Sequence, residues 1–147
     1  PYNCGTALLA ELLVGSTMIA ATVVLECGFI AGAVTMLTRT GHWLAQRSEL
    51  HRTMIALSAL TLWLLGGISV ALWLWAGLLY SLGEFEEIRQ AIYFASVSAT
   101  TLGYGDSLLS DNWKLLSGFI AANGLVLFSL NTAFLFEAMR RLAGRPH

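Results

Sequence analysis

Charged residues are spread so unevenly along the chain that three long runs carry almost none. Residues 53–83, TMIALSALTLWLLGGISVALWLWAGLLYSLG, and residues 115–136, LLSGFIAANGLVLFSLNTAFLF, contain no charged side chain at all. A helix needs about 20 apolar residues to cross the hydrocarbon of a bilayer, so each run predicts one span. The run 6–38 is apolar except for Glu11 and Glu26. It has no basic start and is too long for the apolar core of a signal peptide, so it also reads as a membrane helix. Between the second and third spans lies GEFEEIRQAIYFASVSATTLGYGDSLLSDNW, which cannot cross by itself. Its first half, from Glu86 to about Thr100, suits a short helix with acids in its first turn, where the dipole favours them. A glycine-containing row and a polar return follow. Non-helical backbone at membrane depth is tolerated only inside protein or against a water-filled cavity, so the segment should enter and leave on one side.

The pattern divides the chain into an N-terminal helix with its linker, 1–51, and a second unit, 52–147. The second unit is expected to hold an outer helix at 53–82, a short helix at 86–100, an extended row at 101–106 and an inner helix at 113–142. The fold class is an all-α membrane protein. Composition agrees: 12% of residues are charged, against roughly a quarter in soluble domains. A net charge of −1 lacks the basic face that nucleic acid requires, which excludes that partner. Cys4 and Cys27 form neither a disulfide framework nor a CxxC metal pattern.

The row SATTLGYGD, 98–106, carries the candidate chemistry. It offers no acid, amide or histidine before Asp106, so the backbone itself must act. An ordinary strand alternates its carbonyls. Pointing them all one way requires left- and right-handed dihedrals in alternation, and Gly103 and Gly105 supply left-handed ones without a Cβ clash. Several such rows around one axis would stack carbonyl oxygens into cages that replace a cation's hydration shell. A phosphate-binding GxGxxG is excluded, because Leu108 stands where the third glycine should be and no βαβ unit surrounds it.

Thr100, Thr101, Leu102, Gly103, Tyr104, Gly105 and Asp106 resemble the selectivity filter of the tetrameric potassium-channel family, usually written TTVGYGD. Tyr93 and Phe94 occupy the family's aromatic pair on the pore helix, Gly124 resembles its inner-helix hinge, and Phe128 a cavity-lining aromatic. The resemblance covers about residues 52–142. It implies a homotetramer in a lipid bilayer, of the prokaryotic type with an extra N-terminal helix, conducting potassium passively and needing no cofactor or catalytic residue. K⁺ would be held by the carbonyls of Thr101, Leu102, Gly103 and Tyr104, with the Thr101 hydroxyl. Thr100, Gly105 and Asp106 would support that filter and its outer mouth, and the Tyr104 ring would pack against the pore helix. Leu102 replaces the usual valine. Val97 stands where some members place a glutamate that pairs with the mouth aspartate, so Asp106 needs another partner. A weakly selective cation channel and a non-conducting subunit of a larger assembly are the alternatives.

Charge sets the expected topology. Arg39, Arg47, Arg52, Arg140, Arg141 and Arg145 are six of the eight basic residues, and the positive-inside rule places them in the cytoplasm. The N-terminus is then extracytoplasmic and the C-terminus cytoplasmic, across a prokaryotic plasma or inner membrane. Glu84, Glu86, Glu87, Asp106 and Asp111 would collect at the outer mouth, beside Arg89 and Lys114, and concentrate cations. On the inner helix Gly124, Phe128, Asn131 and Leu135 recur on one face, the candidate pore lining, with Thr132 beside Asn131 and with Phe128 or Leu135 as the narrowest ring. An interhelical hydrogen bond is the alternative for Asn131. Gly66, Gly67 and Gly118 read as close-packing positions, and Trp63, Trp73 and Trp75 as facing lipid or the interface. Glu26 and Glu11 lie within about 60° of one another on the first helix. Both should therefore face protein or water rather than lipid, with that helix packed on the outer one and Ser58, Thr61 or Arg52 as partners of Glu26; a protonated Glu26 bonded to a neighbouring carbonyl is the alternative.

Overall fold

The computed structural model describes residues 4–40 and 49–143. They form four helices: α1 Cys4–Thr40, α2 Glu49–Ser81, α3 Ile88–Ala99 and α4 Leu115–Ala143. There is no strand among the described residues. Three helices are long and apolar enough to cross a membrane, and α3, with 12 residues, is not. The two glutamates of α1 do not spoil its span. Its most apolar window has a mean hydropathy of 2.1, equal to that of α2. At most 28% of any span's most apolar window is buried within the chain, so most of that surface must be covered from outside. The protein is a multi-pass membrane protein.

Helix direction follows from the contacts. Leu115 at the start of α4 meets Glu11 of α1, and Asn123 further along meets Thr22, with offsets of 104 and 101 residues. A nearly constant offset means that α1 and α4 run parallel. Phe29 of α1 meets Trp63 of α2, with ring centroids 5.3 Å apart, while the earlier Glu26 meets the later Gly67, so α2 is antiparallel to α1. The last turns of α1 and α4, with Arg39 and with Arg140 and Arg141, therefore share one end, where their positive charge complements the negative ends of the helix dipoles.

Helix α3 is wedged between α2 and α4 at the opposite end. Trp75, Leu79, Phe94, Ala95, Leu116 and Ile120 form the main core there, whereas a smaller cluster of Ala33, Leu60, Leu64 and Ala138 closes the arginine end. The turn into α3 is set at Gly83, whose φ is +76°. Gly83 N–H donates to the Tyr80 carbonyl and Glu84 N–H to the Leu79 carbonyl. This is the Schellman termination, which glycine permits because it lacks a Cβ. It consumes the residues before α3, so Glu86 and Glu87 precede that helix instead of occupying its first turn as the sequence suggested.

Two further expectations, at Trp75 and at Gly118, need correction. Trp75 is only 1% exposed, and Trp63 donates its indole N–H to the Phe29 carbonyl at 2.8 Å. Trp63 and Trp73 remain exposed, as expected. Gly67 is a close-packing position, because a Cβ there would press on the Glu26 carboxylate and the Phe29 ring, but Gly118 meets open space within the chain. Helix α1 does pack on α2, and it packs on α4 as well.

Candidate functional site

The end of α3 determines the backbone of the row that follows. Thr100 caps the helix with φ −82° and ψ 1°, and its hydroxyl donates to the Ser96 carbonyl at 2.9 Å. The next amides stay turned toward the helix. Thr101 N–H donates to the Ser98 carbonyl at 2.9 Å, while Leu102 and Gly103 N–H donate to the Val97 carbonyl at 3.0 and 3.4 Å.

Positive φ falls at Thr101 (58°), Gly103 (53°) and Gly105 (76°), alternate residues without a gap. Thr101 is the only non-glycine with positive φ among the described residues. Left-handed backbone costs a Cβ-bearing residue roughly 1–2 kcal/mol, and the amides bonded back to α3 hold Thr101 there. Among the described residues, none of the carbonyls of Thr101, Leu102, Gly103 and Tyr104 accepts a hydrogen bond. Residues 101–106 are exposed in the single chain, with Leu102 at 56% and Tyr104 at 68%. The Tyr104 ring is thus not covered within its own chain. It is open to a neighbouring surface.

The partner of Asp106 is Tyr93, whose hydroxyl donates to Asp106 Oδ2 at 2.9 Å. Tyr93 lies one helical turn before Val97, so the phenol reaches the carboxylate from further back along α3. The bond to that carboxylate, with lesser help from burial and nearby charge, pushes the Tyr93 phenol above its usual range. Glu84 secures the return of the loop by accepting from both the N–H and the hydroxyl of Ser110, each at 2.7 Å. Glu86, Glu87, Asp111 and Lys114 are exposed around it, and Lys114 stands 3.8 Å from Asp111.

The stripe on α4 is divided among several neighbours. A Cβ at Gly124 would run into the Ala99 carbonyl at the end of α3. Phe128 is half-buried beside a small cavity behind that contact, lined also by Trp75 and Asn123. Asn131 is buried and faces Glu26 of α1, and Leu135 packs on the cluster at the arginine end. Thr132 alone of the set is exposed, its hydroxyl bonded to the Phe128 carbonyl of its own helix. Leu125, Ser129, Thr132, Ala133 and Phe136 form the exposed face one step round the helix.

Sequence reasoning named neither Tyr93 as the partner of Asp106 nor Asn123 as the partner of Thr22. The signal for Asn123 was available, since an amide inside an apolar span requires a polar neighbour.

Three spans, a short helix that does not cross, and a loop with its amides turned inward and its carbonyls free make up the described part of this membrane protein. Residues 67–141, from mid-α2 through α3 and the glycine row to near the end of α4, match the ion channel family. The chain belongs to that family. No curated protein and no solved structure matches the chain.

Proposed function

We propose that the chain is a potassium-selective channel in which four copies surround one axis and conduct K⁺ passively through the row TTLGYGD. The observation that carries this reading is the strict alternation of positive φ at Thr101, Gly103 and Gly105. Such a backbone turns successive carbonyls to one side, and rings of carbonyls can replace the hydration shell of a potassium ion. Thr101, Leu102, Gly103 and Tyr104 supply the ion-coordinating oxygens, with Thr100, Gly105 and Asp106 holding the row in place. One row cannot enclose an ion, and the exposure of Leu102 and Tyr104 in the single chain fits their burial against neighbouring copies. On this reading α3 is the pore helix.

The lumen-facing surface of α4 is then the exposed face of Leu125, Ser129, Thr132, Ala133 and Phe136. Gly124 serves close packing on α3. The arginine end lies in the cytoplasm of a cell membrane and the mouth at Asp106 lies outside, which leaves the N-terminus extracytoplasmic. Purified protein in liposomes should take up potassium and exclude sodium offered as competitor. Equal uptake of both ions would reduce the reading to an unselective cation channel, and no uptake would leave a non-conducting subunit.

A further inference from the structure

Helix α1 presents one polar stripe to the rest of the chain. At its start Glu11, 5% exposed, accepts from the Leu115 N–H at 3.2 Å and so caps the first residue of α4. Midway, the Thr22 hydroxyl donates to Asn123 Oδ1 at 3.1 Å. Next comes Glu26, 0% exposed, enclosed by Gly67 of α2 and Asn131 of α4. Both Glu26 oxygens and both polar atoms of the Asn131 amide are buried without a completed hydrogen bond. Of the expected partners, Ser58 is exposed and Thr61 donates to its own helix at Leu57, while the Arg52 side chain lies outside the described residues.

Among the described side chains no charge faces this carboxyl, and Arg52, whose side chain lies outside them, is about 22 Å along α2 from the Gly67 contact at 1.5 Å per residue. On α2 the run 53–81 has no charged residue, and on α4 the run 115–136 has none. Glu137, just beyond, is exposed and bonded to Arg141 at 2.7 Å. On α1 itself the nearest charged residues are Glu11 and Arg39, several turns away in either direction. A lone carboxylate at that depth is expensive, and a carboxylic acid is not. No group of three acidic, histidine or cysteine side chains is found among the described residues, so the donors at Glu26 are one carboxyl and one amide. Asn131 fits a proton. Its amide oxygen accepts from a carboxylic acid, and after a rotation of the amide its NH₂ donates to a carboxylate.

We propose that Glu26 and Asn131 form a proton-binding site through which α1 grips the inner helix, so that the conduction proposed above depends on pH. With the proton bound, Glu26 donates to Asn131 Oδ1 and the seam from Glu11 to Glu26 is closed. When the proton leaves to solvent, a charge without a counter-charge remains between α1, α2 and α4, and water or separation must relieve it. The part of α4 beyond its Gly124 contact with Ala99 is then released from α1.

Potassium flux through wild type and Glu26→Gln in liposomes, from about pH 5 to pH 9, tests this inference, which rests on the channel reading. Glutamine keeps the shape of the neutral acid. Wild-type flux should change about fivefold or more across the range, the scale of ordinary coupling between sites. The variant should stay at the wild-type acid-limb value throughout. A variant that keeps the wild-type pH profile overturns the coupling. Infrared spectroscopy of the same proteins needs no flux. Wild type at neutral pH should show a protonated-carboxyl band that Glu26→Gln loses and Glu11→Gln keeps. A wild type without that band, or a band untouched by Glu26→Gln, overturns the proton site, whereas absent flux with the band present overturns only the channel reading.

Discussion

The Tyr93 hydroxyl reaches Asp106 Oδ2 at 2.9 Å, joining α3 to the far end of the row that leaves it. This bond closes a loop of backbone. Amides 101–103 tie the start of the row to the last turn of α3, and Tyr93 ties down its end, so the carbonyls between them are held at both limits.

Removing that hydroxyl should loosen the outer limit alone. Tyr93→Phe keeps the ring and loses a bond to a charged acceptor. Solvent weakens such a bond when it is exposed, as it is here in the single chain. Expected is a protein that still assembles and conducts but whose potassium current decays faster when external potassium is lowered. A decay rate equal to wild type would show that the bond does not support the row.

Gly105→Ala places a Cβ on a residue with φ of +76°. The strain is roughly 1–2 kcal/mol per chain, repeated in each copy of the proposed tetramer. Potassium selectivity or conduction should be lost in liposome flux, and unchanged potassium-over-sodium uptake would count against the ion-coordinating role of the row.

Gly124→Ala should act through packing. Its Cβ has to displace the Ala99 carbonyl, which is backbone and cannot rotate aside. Overpacking of this kind costs typically 1–3 kcal/mol, so thermal unfolding in detergent should begin at lower temperature. A variant as stable as wild type would mean that α3 and α4 can separate at no cost.

Cysteine scanning distinguishes the two faces of α4. Thr132→Cys lies on the exposed face and Asn131→Cys on the face turned to Glu26. A water-soluble thiol reagent added from the cytoplasmic side should block flux through the first within the time it leaves the second unchanged, with Cys27 replaced in both backgrounds because it is exposed. Block of the Asn131→Cys protein instead would return the lumen to the stripe first read from the sequence.

The spans were legible because uncharged runs of such length have few other uses. Observed α1, α2, α3 and α4 begin and end within about four residues of the expected limits, the uncertainty that fraying termini carry anyway. Two of the three left-handed residues were legible as glycines. Thr101 was not, since nothing in a threonine announces positive φ, and only the amides bonded back to α3 account for it. Periodicity found the stripe Gly124, Phe128, Asn131 and Leu135 as a face of α4 but could not say what covers it. A helix surrounded by other helices repeats with one period on every side. Only the parallel placement of α1 shows that Asn131 looks toward Glu26.

That placement bears on how the chain is made. Glu11 and the amide it caps are 104 residues apart. At about 5–20 residues per second of synthesis, roughly 5–20 s separate the carboxylate from its partner. During that interval α1 must wait at the membrane with Glu11 and Glu26 unmatched, its stripe sheltered by the insertion machinery or turned to water. Helix α4 completes the polar stripe of α1, so a chain halted before α4 leaves α1 held mainly by α2, with Glu11 lacking its amide partner.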